Sequence, residues 1–416
     1  MITRRQFLAA ATTAWAAMRA SAAAGRAPRI LLRSSWQTVN IGDIGHTPGV
    51  LALLEKHLPE AEVTLWPSNI GSGVEAMLLR RFPKLRITFD QKEAFTHDFL
   101  LHGSGPFLVA RKHVEAWKKE TGKPYGIYGI TMAAGGDTGM RSLSSNGLDE
   151  NTKHLLDNAA FVFLRDGVSL DVVKKAGVRA PVIEFAPDGA FAADVRDDAT
   201  AGAFLQQNGL HDGGFLCFLS RLRHSPYWKI KPNVPLDVAK HARNEAMKEH
   251  DHKPLRDVIT AVVRQTSLKA LVVPEDASQM ETTRELLVEP LPDDVKARVV
   301  WRKDYWLTDE AISTYIRSAG LVSLEMHSPI MALGQGVPAI VCRFAEQTSK
   351  GTMWRDIGLG DWLFDFDQPG DMDRLVPTAL AMARDPAAAR TKASRALNFV
   401  RQRQQESMEV LRHSLA

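Results

Sequence analysis

The chain has 416 residues, of which 45% are hydrophobic and 24% charged, and its formal net charge is +4. This small basic excess argues against nucleic acid as a partner, because proteins that follow a phosphate backbone carry a clear surplus of lysine and arginine. A chain of this length predicts two domains rather than one.

The first 22 residues resemble a twin-arginine export signal. Arg4 and Arg5 precede an apolar segment at 7–18 that is too short to span a bilayer, and the A-x-A pattern at 20–22 is typical of a cleavage site. Removing this segment takes away three arginines and no acidic residue, which lowers the net charge from +4 to +1. An ordinary secretory signal or a frayed helix is the alternative. We expect a periplasmic mature protein with no membrane span.

Short apolar segments alternate with helical ones in the first half of the chain. Thr47 and Pro48 are typical of an N-cap and first turn, and they predict a helix over 50–57. Further helices are predicted at 114–120 and 169–176. Strands are predicted at 27–32, 62–66, 87–89, 99–101, 125–130, 160–164 and 182–185. This alternation indicates a parallel, doubly wound sheet.

A second series of strands and helices follows a linker at 208–214. Its strands are predicted at 215–219, 270–273, 299–300, 320–324 and 339–342. We therefore expect an α/β fold of two Rossmann-like parallel-sheet domains, at 29–210 and 211–370, and a C-terminal helical segment at 371–416. The substrate is expected in the cleft between the domains, where the carboxyl ends of the strands meet.

Two other features are expected to be structural. Cys217 and Cys342 lie in apolar strand-like runs, which favours buried thiols over a disulfide. The lysine- and histidine-rich tract 229–253 is interpreted as a polar loop. Its His250 and His252 are expected to be solvated rather than to bind a metal ion.

The segment LVSLEMHSPIMALGQGVPAI at 321–340 carries the main site candidates. An apolar strand leads into Glu325 and His327, and Ser328 followed by Pro329 is typical of a helix N-cap and first turn. A helix N-terminus favours anions and disfavours imidazolium. We predict that His327 is a neutral base or donor and that Glu325 is a general acid or base. A core histidine is the alternative.

Four segments, in this order, resemble motifs of the polysaccharide pyruvyl transferase family, whose members are similar in architecture to GT-B glycosyltransferases. They are VNIGD at 39–43, HGSG at 102–105, FLRDGVS at 163–169 and MHSPIMALGQGVP at 326–338. The resemblance implies transfer of a pyruvyl group from phosphoenolpyruvate onto two hydroxyls of a sugar or polysaccharide. That reaction needs cations for the donor, a proton source for the enol methylene and a base for the sugar hydroxyl.

The resemblance adds Asp43 to His327 and Glu325 as a catalytic residue, with an Asx-turn residue as the alternative. Arg221 and Arg223 alternate after a predicted strand, so both are expected to reach the cleft, with solvated side chains as the alternative. The residues expected to bind substrate are Asn40, His102, Arg165, Arg221, Arg223 and Ser328. No cofactor and no metal ion is expected.

Two features depart from the family pattern. Glu325 stands where the family usually has an arginine, and a carboxylate repels an anionic donor instead of binding it. An exported enzyme would also lack phosphoenolpyruvate, which is a cytoplasmic metabolite. The alternatives are an exported hydrolase that removes pyruvate ketals from glycans and a non-catalytic periplasmic protein that binds glycans.

Overall fold

A parallel sheet of seven strands forms the first half of the chain in the computed structural model, which describes residues 26–132, 143–144 and 147–415. The expected export signal lies outside the described residues. The strands are β1 (Arg29–Ser34), β2 (Glu62–Pro67), β3 (Arg86–Ile87), β4 (Phe99–His102), β5 (Tyr125–Ile130), β8 (Val162–Leu164) and β9 (Ile183–Phe185), and the short β6 (Leu143–Ser144) and β7 (Gly147–Leu148) pair with each other. The order across the sheet is β3-β2-β1-β4-β5-β8-β9.

A second parallel sheet of six strands forms the other half. Its strands are β10 (Phe215–Leu219), β11 (Lys269–Val272), β12 (Val299–Trp301), β13 (Gly320–Ser323), β14 (Ala339–Arg343) and β15 (Leu363–Asp365). The order is β12-β11-β10-β13-β14-β15, and every pairing between neighbours is parallel. The prediction of two doubly wound parallel-sheet halves is confirmed.

Helices cover the faces of both sheets. They are α1 (Ile41–His57), α2 (Val74–Arg81), α3 (Gln91–Ala94), α4 (Arg111–Thr121), α5 (Glu150–Asp157), α6 (Gly167–Lys175), α7 (Asp198–Gln207), α8 (Val238–Gln265), α9 (Met280–Thr283), α10 (Asp293–Lys296), α11 (Thr308–Tyr315), α12 (His327–Gly334), α13 (Met353–Asp356), α14 (Asp371–Arg384) and α15 (Pro386–Ser414). In the described part of the chain, no helix is long and apolar enough to cross a membrane.

Three predicted helix features were wrong. Helix α1 begins after Asn40, so Thr47 is no cap and Pro48 lies inside the helix. Thr47 instead turns its hydroxyl toward Ser34 and Ser35 in the core. The tract interpreted as a polar loop, 229–253, contributes the first half of α8, a 28-residue helix that buries only one side. The third error concerns the N-cap of α12, which was predicted at Ser328 but is Met326.

The C-terminal helix returns to the first half of the chain. From α15, the Arg403 guanidinium donates to the carbonyl oxygen of Phe185 at 2.6 Å, at the end of β9. Near the end of α15, Arg412 donates to the carbonyl oxygen of His57, the last residue of α1. Helix α15 therefore fastens the two halves together.

The two halves also approach each other closely at two glycines. A Cβ atom built on Gly334 of α12 would lie 2.1 Å from the carbonyl oxygen of Phe191. One built on Gly42 of α1 would lie 2.1 Å from the Cβ atom of His327. A Cβ atom at either position would overlap with the other half, so only glycine allows the two halves to pack this closely. The cleft is therefore closed at its base. Cys217 and Cys342 are buried free thiols, as predicted.

Candidate functional site

The N-terminus of α1 lies against the loop that follows β11 in the other half. The Asn40 carboxamide oxygen caps α1 by accepting from the N–H groups of Gly42 and Asp43. The N–H of Ile41 donates to the carbonyl oxygen of Glu275 at 2.9 Å. This pairing fixes the first turn of α1 at the boundary between the halves. Asn40 is thus a structural residue of the boundary, while Asp43 faces the cluster described below.

Helix α1 also carries a histidine that the sequence analysis missed. His46 lies three residues after Asp43, so the two side chains share one face of the helix. Its Nδ1 atom is 2.8 Å from the carbonyl oxygen of Ser104, which can only accept a hydrogen bond. His46 therefore carries its proton on Nδ1 and presents an unprotonated Nε2 atom.

His327 approaches this nitrogen from the second half. It is the first residue of α12, and residues 324–326 connect this helix to the end of β13. Its Nδ1 atom is 3.2 Å from the Glu275 carboxylate, and its Nε2 atom is 3.1 Å from Nε2 of His46. Burial lowers the pKa of both imidazoles. The structure therefore places His327 at the boundary between the halves, where the sequence predicted it, with a neutral ring.

The cap of α12 differs from the prediction. Ser328 is not the N-cap, because Met326 holds that position and Ser328 lies within the first turn. The Ser328 N–H donates to Glu275 Oε2 at 2.7 Å, and its hydroxyl accepts from Tyr315 at 3.0 Å. A carboxylate from another loop thus caps α12, and the buried Ser328 hydroxyl faces the core rather than a ligand.

A buried ion pair borders the imidazoles in the first half. Arg165 follows β8 and is fully buried, and its Nη1 atom lies 2.5 Å from Oδ2 of Asp188. The same Asp188 oxygen lies 3.5 Å from Nε2 of His46. The Arg165 Nη2 atom is buried and has no hydrogen-bond partner among the described residues. One guanidinium N–H pair is therefore available to a ligand.

Glu325 lies on the other side of His327. Its carboxylate accepts from Arg221 at 2.9 Å and from the Gln279 carboxamide at 2.5 Å. Burial raises the pKa of Glu325 to about 7, although the Arg221 guanidinium opposes this shift. The Glu325–Arg221 pair therefore places a cation beside this carboxylate, and that cation comes from the end of another strand.

Lys350, like Glu275, was missed by the sequence analysis. It has no hydrogen bond or ion pair with any described residue, yet its charge acts on Glu275, Glu325 and His327. Burial and the nearby Arg165 lower the pKa of Lys350. The sequence carries only a weak signal for a role of Lys350, because this residue lies in a 3₁₀ turn far from every motif.

Solvent reaches this cluster at one edge, where side chains of the two halves meet. Gln37 of the first half donates to Asp43 and lies 3.5 Å from the Tyr227 hydroxyl of the second half. Tyr227 in turn donates to Asp276 at 3.1 Å. Asp43, Tyr227 and Lys350 are partly exposed, whereas Glu325 and His327 are buried. The open edge of the cluster is therefore on the side of Asp43.

Two predicted binding residues lie elsewhere. Arg223 does not reach the cleft, because its buried guanidinium is bound by the carboxylates of Asp251, Glu346 and Asp367. The prediction that Arg223 reaches the cleft was wrong, because the chain turns into an irregular segment directly after β10 and the alternation of side chains does not continue. His102 is buried and stacks on Trp36, with ring centroids 4.9 Å apart, and the structure does not bring it into the cluster. His250 and His252 lie on α8, where His252 is buried rather than solvated as expected.

A model of the polysaccharide pyruvyl transferase family matches residues 40–344, which include both halves of the cluster. The chain belongs to the polysaccharide pyruvyl transferase family. Membership supports a function in the modification of polysaccharides. No curated protein matches the chain.

Solved structures with the same architecture include several enzymes of nucleotide-sugar chemistry. Anabaena Alr3699/HepE, in complex with UDP and glucose, is 14% identical with a TM-score of 0.54, over 92% of this chain and 99% of that one. UDP-GlcNAc 2-epimerase from Neisseria meningitidis, bound to UDP-GlcNAc, is 11% identical with a TM-score of 0.52, over 92% and 99%. The putative UDP-N-acetylglucosamine 2-epimerase from Listeria monocytogenes is 12% identical with a TM-score of 0.52, over 89% and 90%. These similarities establish a GT-B-like fold of two parallel-sheet domains.

Proposed function

We propose that this protein transfers a pyruvyl group as a ketal of a sugar or polysaccharide. The observation that carries the proposal is a pair of cationic groups in the cluster that have no hydrogen-bond partner among the described residues, the buried Arg165 Nη2 atom and the partly exposed Lys350 ammonium group. A cationic group that is largely removed from water and has no partner is costly, and a ligand carboxylate or phosphate would satisfy both groups. Pyruvyl compounds carry such a carboxylate next to the reacting carbon.

The remaining residues fit the needs of the reaction. Two C–O bonds form between C2 of phosphoenolpyruvate and two sugar oxygens, while the C2–O bond to phosphate breaks. One hydroxyl proton ends on the methylene carbon, which becomes a methyl group, and the other leaves with phosphate. Asp43, at the open edge, is suited to accept a proton from the sugar hydroxyl. Glu325, buried beside Arg221, is suited to deliver one to the donor.

The test is transfer from phosphoenolpyruvate to a panel of glycans, followed by phosphate release and by mass spectrometry of the glycan. The variant Lys350→Met removes one of the two free cations, and we expect kcat/KM to fall by about 10- to 100-fold, the effect of a charge-assisted hydrogen bond. Lys174→Met, on the exposed side of α6, is the matched control. Equal activity of Lys350→Met and Lys174→Met would refute the role of this cluster.

A second function, the hydrolysis of pyruvate ketals, is favoured by the charges in the cluster. Carboxyl groups outnumber cationic side chains there: Asp43, Asp188, Glu275, Asp276 and Glu325 face Arg165, Arg221 and Lys350. A ketal brings one carboxylate, whereas phosphoenolpyruvate also brings a phosphate. Like charges about 4 Å apart repel by about 4 kcal/mol at an effective dielectric constant near 20. Water would supply the keto oxygen and both protons that the sugar oxygens regain.

The hydrolytic direction has its own assay. Incubation with a pyruvylated polysaccharide should release free pyruvate, and Glu325→Gln, which keeps the shape but not the acid, should reduce the rate at least 100-fold. Full activity of Glu325→Gln would exclude this acid. If neither assay yields product while the glycan still binds, the protein is a glycan-binding protein. Export, which we propose from residues 1–22, is tested by fractionating cells that express the full chain and a variant with Arg4 and Arg5 replaced by lysine.

A further inference from the structure

We propose that Asp43, His46 and His327 form a binding site for one divalent transition-metal ion at the boundary between the halves. The ligand atoms of the three residues all lie within 4.8 Å of one another. Two imidazoles and one carboxylate are donors that suit zinc and iron rather than magnesium or calcium. This inference stands on the geometry alone and does not rest on the proposed function.

The orientation of the two imidazoles is the main argument. Nδ1 of His46 faces the Ser104 carbonyl oxygen at 2.8 Å, and Nδ1 of His327 faces the Glu275 carboxylate at 3.2 Å. Each Nδ1 atom therefore donates its proton, and the lone pairs of the two Nε2 atoms face each other at 3.1 Å. Two buried acceptors at this distance repel each other unless a positive centre lies between them.

The distance between the two Nε2 atoms fits a metal ion that both of them coordinate. With metal–nitrogen bonds of about 2.0–2.1 Å, a separation of 3.1 Å corresponds to an angle of about 100° at the ion, between octahedral and tetrahedral values. A shared proton would join the two nitrogens but leave Asp43 outside. An ion joins all three side chains. The fourth position can take Asp188, 3.5 Å from His46 Nε2, or a ligand from the open edge.

The surrounding contacts match those found around metal-binding histidines. Such histidines usually donate their second ring nitrogen to a carboxylate or a backbone carbonyl, which fixes the ring and its tautomer. Glu275 and the Ser104 carbonyl do this here. Glu275 is itself held by the N–H of Ser328. The ion would also add two positive charges to a cluster in which carboxyl groups are in excess.

The test measures metal binding directly in the full-length protein prepared without a histidine tag. After chelation and removal of the chelator, the protein is titrated with Co²⁺ and Zn²⁺, and bound metal is counted by mass spectrometry after gel filtration. We expect one equivalent of either ion, a visible Co²⁺ absorption band and a rise in Tm with Zn²⁺. Mg²⁺ should cause none of these changes.

Three variants and one control make the assignment specific. His327→Gln and His46→Gln should each lose stoichiometric binding, and Asp43→Asn, at the partly exposed position, should weaken it at least tenfold. His57→Gln, at the other end of α1, should bind like the wild type. Circular dichroism checks that each variant is folded, and Asp43→Asn keeps the test decisive if a histidine variant does not fold. Binding of less than 0.1 equivalent by the wild type, or unchanged binding by Asp43→Asn, would overturn the proposal.

Discussion

The close approach of α1 to His327 predicts that Gly42→Ala is damaging although alanine favours helices. The new Cβ atom would lie 2.1 Å from Cβ and 2.4 Å from Nδ1 of His327. To reach an ordinary contact distance of 3.4 Å, the new Cβ atom and the His327 Cβ atom must move apart by about 1.3 Å. Overpacking of this kind costs about 1–3 kcal/mol, which exceeds the gain of about 0.5–1 kcal/mol from replacing a helical glycine by alanine.

Urea unfolding and activity measure the two consequences separately. We expect Gly42→Ala to lower the free energy of unfolding by about 1–2 kcal/mol, and to lower kcat/KM by about 10²-fold because the imidazole is displaced by about 1 Å. Gly202→Ala in α7 is the matched control, since no atom lies within 4 Å of its added Cβ and only the helix preference changes. It should raise the free energy of unfolding by about 0.5–1 kcal/mol. If Gly42→Ala behaves like Gly202→Ala, the described contact between α1 and His327 is wrong.

Three further substitutions test the boundary and the buried charges by urea unfolding. Arg223→Met leaves three carboxylates without their shared cation and should cost about 3–5 kcal/mol, whereas a loss below 1 kcal/mol would contradict its structural role. Asn40→Ala removes the cap of α1 and should cost about 1 kcal/mol; an unchanged transition would show that the cap contributes nothing. Glu325→Arg places a second cation beside Arg221 and should cost about 3–5 kcal/mol, while the exchange Arg221→Glu with Glu325→Arg should recover most of this loss. No recovery in the double variant would show that the two side chains are not coupled.

The two sheets could be predicted from the sequence because most of their strands are buried. Strands in a parallel sheet read as continuous apolar runs, and the run from Phe215 to Leu219 matches its strand residue for residue. The long helix α8 was missed for the opposite reason. Its N-terminal half buries few residues and is rich in lysine and histidine, so hydrophobic periodicity was too weak to distinguish it from a loop.

The start of α1 was predicted wrongly because two segments of the sequence both resemble a helix N-terminus. Thr47 followed by Pro48 reads as a helix start, but Asn40 holds the cap, and the proline removes one hydrogen bond inside the helix. Because the helix was predicted to begin only at Thr47, His46 received no role. The spacing of Asp43 and His46, three residues apart, is the signal that could have found it once the helix was placed correctly.

The site itself could be predicted only in part, since its members meet across the boundary. His327, Glu325, Asp43 and Arg165 were identified because each lies in a motif that ends a strand or begins a helix. Glu275 and Lys350 lie in turns without any pattern, and only the packing of the halves brings them to His327. Arg223 was predicted to lie in the site but does not, because the alternation of side chains along a strand does not continue beyond the end of that strand.

The charges of the cluster connect the two open questions, the direction of the reaction and the metal ion. Arg221 is paired with Glu325, although its buried Nε atom has no hydrogen-bond partner among the described residues. Outside that pair, the described residues of the cluster leave Lys350 and one N–H pair of Arg165 for an anionic ligand. These two groups match the single carboxylate of a pyruvate ketal but fall short of the combined charge of a carboxylate and a phosphate. A divalent ion between His46 and His327 would supply the missing positive charge. Protein free of metal should therefore bind the ketal more tightly than phosphoenolpyruvate. Loading with Zn²⁺ should reduce the ratio between the two affinities.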